Sequence, residues 1–217
     1  NDMDEIQDNP TTDELAAEAG AHETEDPGAN VRRWLLEVHD ATLCTSAAKP
    51  DLAGYPFGSV VPFALTPEGK PVVYLARIAA HTANLRRDPR ATLFVRQPGV
   101  EGDPQKGWRI GVMGQMRRLI LDGEDPGKDP VDIVTAAELE EIHARYLERV
   151  PWAETYNQTH GFSYWRMSEV ERVRYIAGFG KICWLDGTEA LRAPRGGGLD
   201  TAAPGAIAHM NEDHVGN

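Results

Sequence analysis

Runs of β-branched and aromatic residues bounded by turn formers dominate the middle of this chain. Residues 58–66, 71–77 and 91–95 are three such runs, and their make-up predicts strands. Pro67-Glu68-Gly69 reads as the turn between the first two. Residues 41–46, 108–121, 162–167 and 172–177 read as further strands, with Gly111 and Gly114 as candidate bulges or close approaches in the long one. Gly178-Phe179-Gly180 reads as a tight turn where backbone can approach a ligand or a neighbouring strand. Two stretches change to the period of a helix. Val31, Trp34, Leu35 and Val38 share one face of a helix that Asn30 can cap. Leu139, Ile142, Tyr146 and Val150 share one face of a helix over residues 135–150, with Thr135 and Glu138 at capping-box spacing and Pro151 as its stop. A short polar helical piece, residues 81–87, precedes the third strand. Residues 49–54, 97–106 and 122–132 read as loops. Many strands, few helices and no alternation of strand with helix predict a mainly β fold: a closed antiparallel barrel with flanking helices.

Charge divides the chain. The net charge of −12 arises mostly in residues 1–30, which hold ten acids and no Lys or Arg; the remainder carries 24 acids against 22 bases. The first segment therefore reads as a mobile, solvated acidic tail, with a short helix over residues 12–19 as its one structured option. Residues 31–192 form the barrel domain, residues 193–205 a Gly/Pro linker, and residues 206–217 the start of a truncated C-terminal helical segment. A near-neutral body and an acidic tail both argue against nucleic acid as a partner. No stretch approaches the apolar length of a membrane span, and the first residues show no signal-peptide pattern, so no membrane partner is expected. Cys44 and Cys183 stand far apart with no metal-ligand spacing; they read as buried free thiols, which fits a reduced, cytoplasmic location.

The residues around the short helix carry the first candidate chemistry. Thr82 and Asn84 can offer neutral donors to a phosphate, and His81, Arg77 or Arg109 can offer charge. The same residues also read as an ordinary helix start, with Thr82 as a cap and His81 packed beside it. Arg86, Arg87 and Arg90 form a basic cluster that is either an anion site or a solvated face paired with Asp88. His209 and His214 are five residues apart, so they do not share a helix face and do not chelate one ion together. Either can serve as a single axial ligand to haem iron, or the segment simply docks on the barrel. His143 reads as structural, and nothing in the pattern selects His39 or His160. No nucleophile elbow, P-loop or dinucleotide fingerprint is present in the sequence.

Five features in one order resemble a known family: Pro56-Phe57-Gly58-Ser59-Val60-Val61-Pro62; His81-Thr82-Ala83-Asn84-Leu85 with Asp88-Pro89-Arg90; Arg109; Gly178-Phe179-Gly180; and His209-Met210-Asn211-Glu212-Asp213-His214. The chain resembles the pyridoxamine 5′-phosphate oxidase-like, FMN-binding split-barrel proteins, and within them the haem-utilisation (HugZ-like) branch. That resemblance implies an antiparallel, Greek-key-like FMN-binding split barrel that forms a homodimer with two cofactor grooves at the interface. It also implies a flavin whose ring meets the backbone of Ser59, Val60 and Val61, with its phosphate near Arg77, His81, Thr82, Asn84 and Arg109. In pyridoxamine oxidases a Ser-Arg-Lys run opens the phosphate-binding helix; here Ala79-Ala80-His81 stands there. The reading is therefore an FMN-dependent oxidoreductase in which the cofactor carries the chemistry and no side chain is singled out as acid or base. Two alternatives stand beside it. One is a haem-binding or haem-degrading protein of iron utilisation without flavin, with iron on His209 or His214. The other is a non-catalytic dimeric interaction module.

Overall fold

The computed structural model describes residues 26–158, 161–178 and 180–192. The acidic tail, most of which lies in residues 1–25, the linker and the segment with His209 and His214 fall outside the described residues, as do His160 and Phe179. Among the described residues there are eight strands: β1 (Asp40–Ser46), β2 (Pro56–Leu65), β3 (Pro71–Ala76), β4 (Arg90–Arg96), β5 (Arg109–Leu121), β6 (Val131–Val134), β7 (Phe162–Ala177) and β8 (Lys181–Asp186). The helices are α1 (Pro27–Glu37), α2 (Ala80–Arg87), α3 (Ala136–Arg149) and α4 (Gly187–Leu191).

The strand order is β6-β5-β4-β1-β2-β3-β7-β8, and an added β5–β7 pairing closes six antiparallel strands into a barrel. After the β1-β2-β3 meander the chain returns to the far side of β1 to place β4, the Greek-key step. β6 lies parallel to β5, and β8 pairs antiparallel with β7. The expected mainly β barrel with flanking helices is the fold observed.

Two strands expected at residues 162–167 and 172–177 are one 16-residue strand. Its pairing with β5 slips at Met113/Gly114 and again at Gln115/Met116, so β7 carries extra residues between Arg166 and Arg172. Bulges interrupt the inside–outside alternation there, which is why the sequence reads as a break. Gly114 is the close approach its position suggests: a Cβ at this residue would sit 1.9 Å from the Glu169 carbonyl oxygen.

The first helix starts earlier than the apolar face suggests. Asp26 caps it, accepting from the Gly28 N–H at 2.8 Å, with Pro27 in the first turn. Asn30 is instead buried within the helix, and its Nδ2 donates to the Tyr175 hydroxyl at 3.0 Å. This helix fills the barrel: Trp34 stacks on Trp108 with centroids 4.6 Å apart and on Tyr175 at 5.0 Å. A second apolar layer forms where Ile142 and Tyr146 of α3, with Val150 just after it, pack on Ala64, Val72, Leu119 and Tyr164. Thr135 caps α3 as its spacing predicts, accepting from the Glu138 N–H at 3.1 Å. Arg149 joins the two layers. It stacks 5.0 Å over the Phe63 ring and donates to the carbonyls of Leu35, Leu36 and Val38, which α1 leaves unpaired at its C-terminus. Cys44 and Cys183 are free and half-buried rather than fully buried.

Three substitutions test this packing by urea unfolding. Gly114→Ala should cost about 3 kcal/mol or more, because the clash is with backbone. Gly111→Ala meets the Thr92 methyl at 3.3 Å and two further side-chain atoms no nearer than 3.9 Å, and should cost about 1 kcal/mol or less. Trp34→Ala should cost about 3–5 kcal/mol; a loss under about 1 kcal/mol would contradict its place in the core.

Candidate functional site

The barrel is split where β2 and β3 part. Residues 56–62 of β2 pair with β1, but only Phe63, Ala64 and Leu65 pair with β3, which pairs with β7 on its other edge from Val72 to Ala76. This leaves one edge of β2 free, and α2 sits against it. His81 Nδ1 lies 3.2 Å from Ser59 Oγ, while His81 Nε2 is buried without a partner among the described residues. Burial pushes the His81 imidazole below its ordinary pKa, so near neutral pH it carries no charge.

The residues expected at a phosphate fall into separate places. Asn84 is buried and fully engaged: its Oδ1 accepts from the Ala48 N–H at 2.8 Å and its Nδ2 donates to Thr45 Oγ1 at 2.9 Å. Thr82 is buried and donates to the Ala76 carbonyl at 2.7 Å. It ties the end of β3 to α2 rather than capping the helix. Arg109 donates to the Gln105 and Gly107 carbonyls at 2.8 and 3.1 Å, bracing the β4–β5 loop. Arg77 faces a different cavity, together with Thr82 and Arg86. Val61 is 3% exposed, so its side chain belongs to the core, whereas Val60 is 78% exposed. At the β2 edge Ser59 and His81 meet and bring no fixed charge, while Arg77 and Thr82 line the other cavity. Of the arginine cluster, Arg86 pairs with Asp129 at 2.5 Å and Arg90 with Asp88 at 2.6 Å. His143 is structural as expected, with Nδ1 2.7 Å from the Tyr164 hydroxyl.

The outward side of the barrel offers a second surface. Cross-strand register aligns Val60, Thr42, Phe94, Gly111, Arg174 and Trp184 in one row across β2, β1, β4, β5, β7 and β8. Trp184 is 56% exposed and Ile182 54%. The Arg174 guanidinium lies 5.0 Å over the Trp184 ring. Arg96 is exposed beside Arg109 on neighbouring strands. Trp184 and Ile182 escape a reading of the sequence because Lys181–Asp186 is not recognised there as a strand. The available signal is the glycine-flanked turn at 178–180, which sends the chain back along residues 172–177 and turns every second residue of β8 outward. Among the described residues there is no group of His, Cys, Asp and Glu arranged to hold a metal ion, and no helix is long and apolar enough to cross a membrane.

The buried imidazole has a consequence for pH. A histidine whose folded pKa is depressed stabilises the fold fully above its unfolded value of about 6.5. That contribution is lost as pH falls below this value, because the unfolded chain then binds more protons. His39, also shifted down by burial, acts in the same direction. His81→Gln should therefore lose less stability than the native chain between pH 7.5 and 5.5 in urea titrations. An equal loss would mean that His81 titrates as a solvated group.

A curated relative, the chloroplastic non-canonical haem oxygenase HOZ of Arabidopsis thaliana, is 26% identical over 199 residues. The match covers 89% of this chain and 56% of the relative, so the chain spans about half the length of that protein. A haem binding protein from Mycobacterium smegmatis superposes with a TM-score of 0.64 at 28% identity, covering 88% of this chain and 70% of that one. HutZ from Vibrio cholerae, described as a haem storage protein, shares the fold with a TM-score of 0.53 at 18% identity, covering 70% and 97% of the two chains. These relatives overturn the expectation of an FMN-dependent oxidoreductase. The Arabidopsis relative and the Mycobacterium smegmatis structure, at 26% and 28% identity, are both named for haem. The physical reason is visible at α2, where Ala79-Ala80-His81 replaces the cationic anchor and the neighbouring polar groups are spent on the fold. The model of the CREG beta-barrel family matches residues 23–190, and the chain belongs to that family.

Proposed function

We propose that this chain binds haem on the outward side of its barrel and acts in haem or iron utilisation. The observation that carries the reading is the 28% identity, across 88% of the chain, to a protein described as haem binding. The surface chemistry fits such a ligand. A haem needs apolar contact for its macrocycle, cations for two propionates and a neutral ligand for iron. Val60, Phe94, Ile182 and Trp184 supply exposed apolar side chains, and Arg96 and Arg174 lie on neighbouring positions of the same side. Bound haem supplies a redox-active iron; the chain's part is to hold and orient it. His209 and His214 remain the candidate axial ligands. A second copy of the chain covering the same apolar row completes the site as a homodimer, since exposed apolar rows of this kind mark interfaces.

Haemin titration followed at the Soret band tests the proposal. Saturable binding is expected, weakened at least tenfold in Trp184→Glu, an exposed position where folding is preserved. One of His209→Ala and His214→Ala should alter the Soret maximum of the loaded protein. Absence of saturable binding, or a Trp184→Glu protein that binds like the native chain, would overturn the proposal. In sedimentation, Val60→Glu should shift a dimer toward monomer.

A further inference from the structure

A cavity of about 420 Å³ lies away from the β2 edge, between the end of β3, α2, the β5–β6 loop and the start of β7. Its lining brings together Arg77, Arg86, Arg118 and Lys128 against two carboxylates, Asp125 and Asp129. The wall is a built one. Asp129, its side chain 9% exposed, holds both Arg86 at 2.5 Å and Arg118 at 2.6 Å. Arg118 also donates to the Asp125 and Pro126 carbonyls at 3.0 and 3.1 Å, which fixes the loop over the cavity. The Asp125 carboxylate turns back to its own loop and accepts from the Gly127 N–H at 2.8 Å. With Asp129 shared between two guanidiniums and Asp125 engaged, the local charge is positive. Arg77 and Lys128 make no side-chain hydrogen bond or ion pair among the described residues. Leu75 and the buried Trp165 give the same cavity an apolar wall, and the Trp165 indole N–H has no acceptor among the described residues.

We infer that this cavity binds a small organic anion, with a phosphate or carboxylate group met by Arg77 and Lys128 and an apolar body resting against Leu75 and Trp165. Arg86 and Arg118, fixed by the buried Asp129, keep a standing positive field behind Arg77 and Lys128, whose side chains are free to meet the anion. The volume lies in the range of small-molecule sites and is far more than a lone inorganic ion needs. The site is separate from the apolar row proposed for haem, so its test stands whichever way the haemin titration falls.

Phenyl phosphate, benzoate and phenol serve as probes, with the Trp165 indole N–H signal of the full chain followed by NMR. A saturable shift is expected with phenyl phosphate, benzoate or both, and none with neutral phenol. The relative strength of the two anions tells a phosphate site from a carboxylate site. Arg77→Gln and Lys128→Gln are exposed changes that leave the Asp129 pairs intact, and each should weaken anion binding about fivefold or more. Trp184→Glu should leave it unchanged. No saturable shift with either anion, an equal response to phenol, or full binding by both Arg77→Gln and Lys128→Gln would overturn the inference.

Discussion

The contact between Gly114 of β5 and the Glu169 carbonyl of β7 is the constraint on which the rest of the barrel depends. The β5–β7 pairing closes the sheet, and it does so with β7 carrying extra residues that bend it around its partner. Only a residue without Cβ allows that approach. Gly187 meets the same bulge from the other side, where a Cβ would fall 2.4 Å from the Val170 carbonyl oxygen. The bend is held by charge as well as by backbone. Lys70 donates to the Ser168 carbonyl at 2.9 Å, Arg117 meets Glu169 at 2.9 Å, and Arg166 meets Asp132 at 2.9 Å and Glu138 at 2.6 Å.

Bending β7 has two outcomes that bear on function. Its first half takes β3 as a neighbour and its second half takes β8. β3 is thereby drawn away from β2, which opens the split that α2 occupies through Asn84 and His81. β8 extends the outward side of the barrel and brings Ile182 and Trp184 into the row that begins at Val60. The apolar and cationic surface thus belongs to the way the barrel is closed. The same closure also sets Trp165 and Arg118 on paired positions of β7 and β5, behind the cationic cavity.

Much of this was legible from the residues. Strand propensity, turn residues and the two apolar helix faces point to an antiparallel barrel, because periodicity is set by local burial. Features that depend on partners distant in sequence were not legible. β7 reads as two strands because its bulges break alternation. β6 and β8 are short and lack a polar–apolar rhythm long enough to stand out. The partners of the candidate site residues were not legible for a related reason. Thr82, Asn84 and Arg109 carry the right groups for a phosphate, but the fold directs them to Ala76, Thr45, Gln105 and Gly107. A side chain's type is visible in the sequence, whereas its hydrogen-bond partner is a property of the fold. His81 shows the same divide, since burial removes the charge that its identity suggests.

The measurement that bears most directly on this account is an iron anomalous-scattering map from crystals of the haemin-loaded full chain. The account predicts an iron peak over the outward side of the barrel, with the macrocycle against Trp184, Ile182 or Phe94 and an arginine of that side on a propionate. An ordered iron peak elsewhere, with the outward row bare, would contradict it.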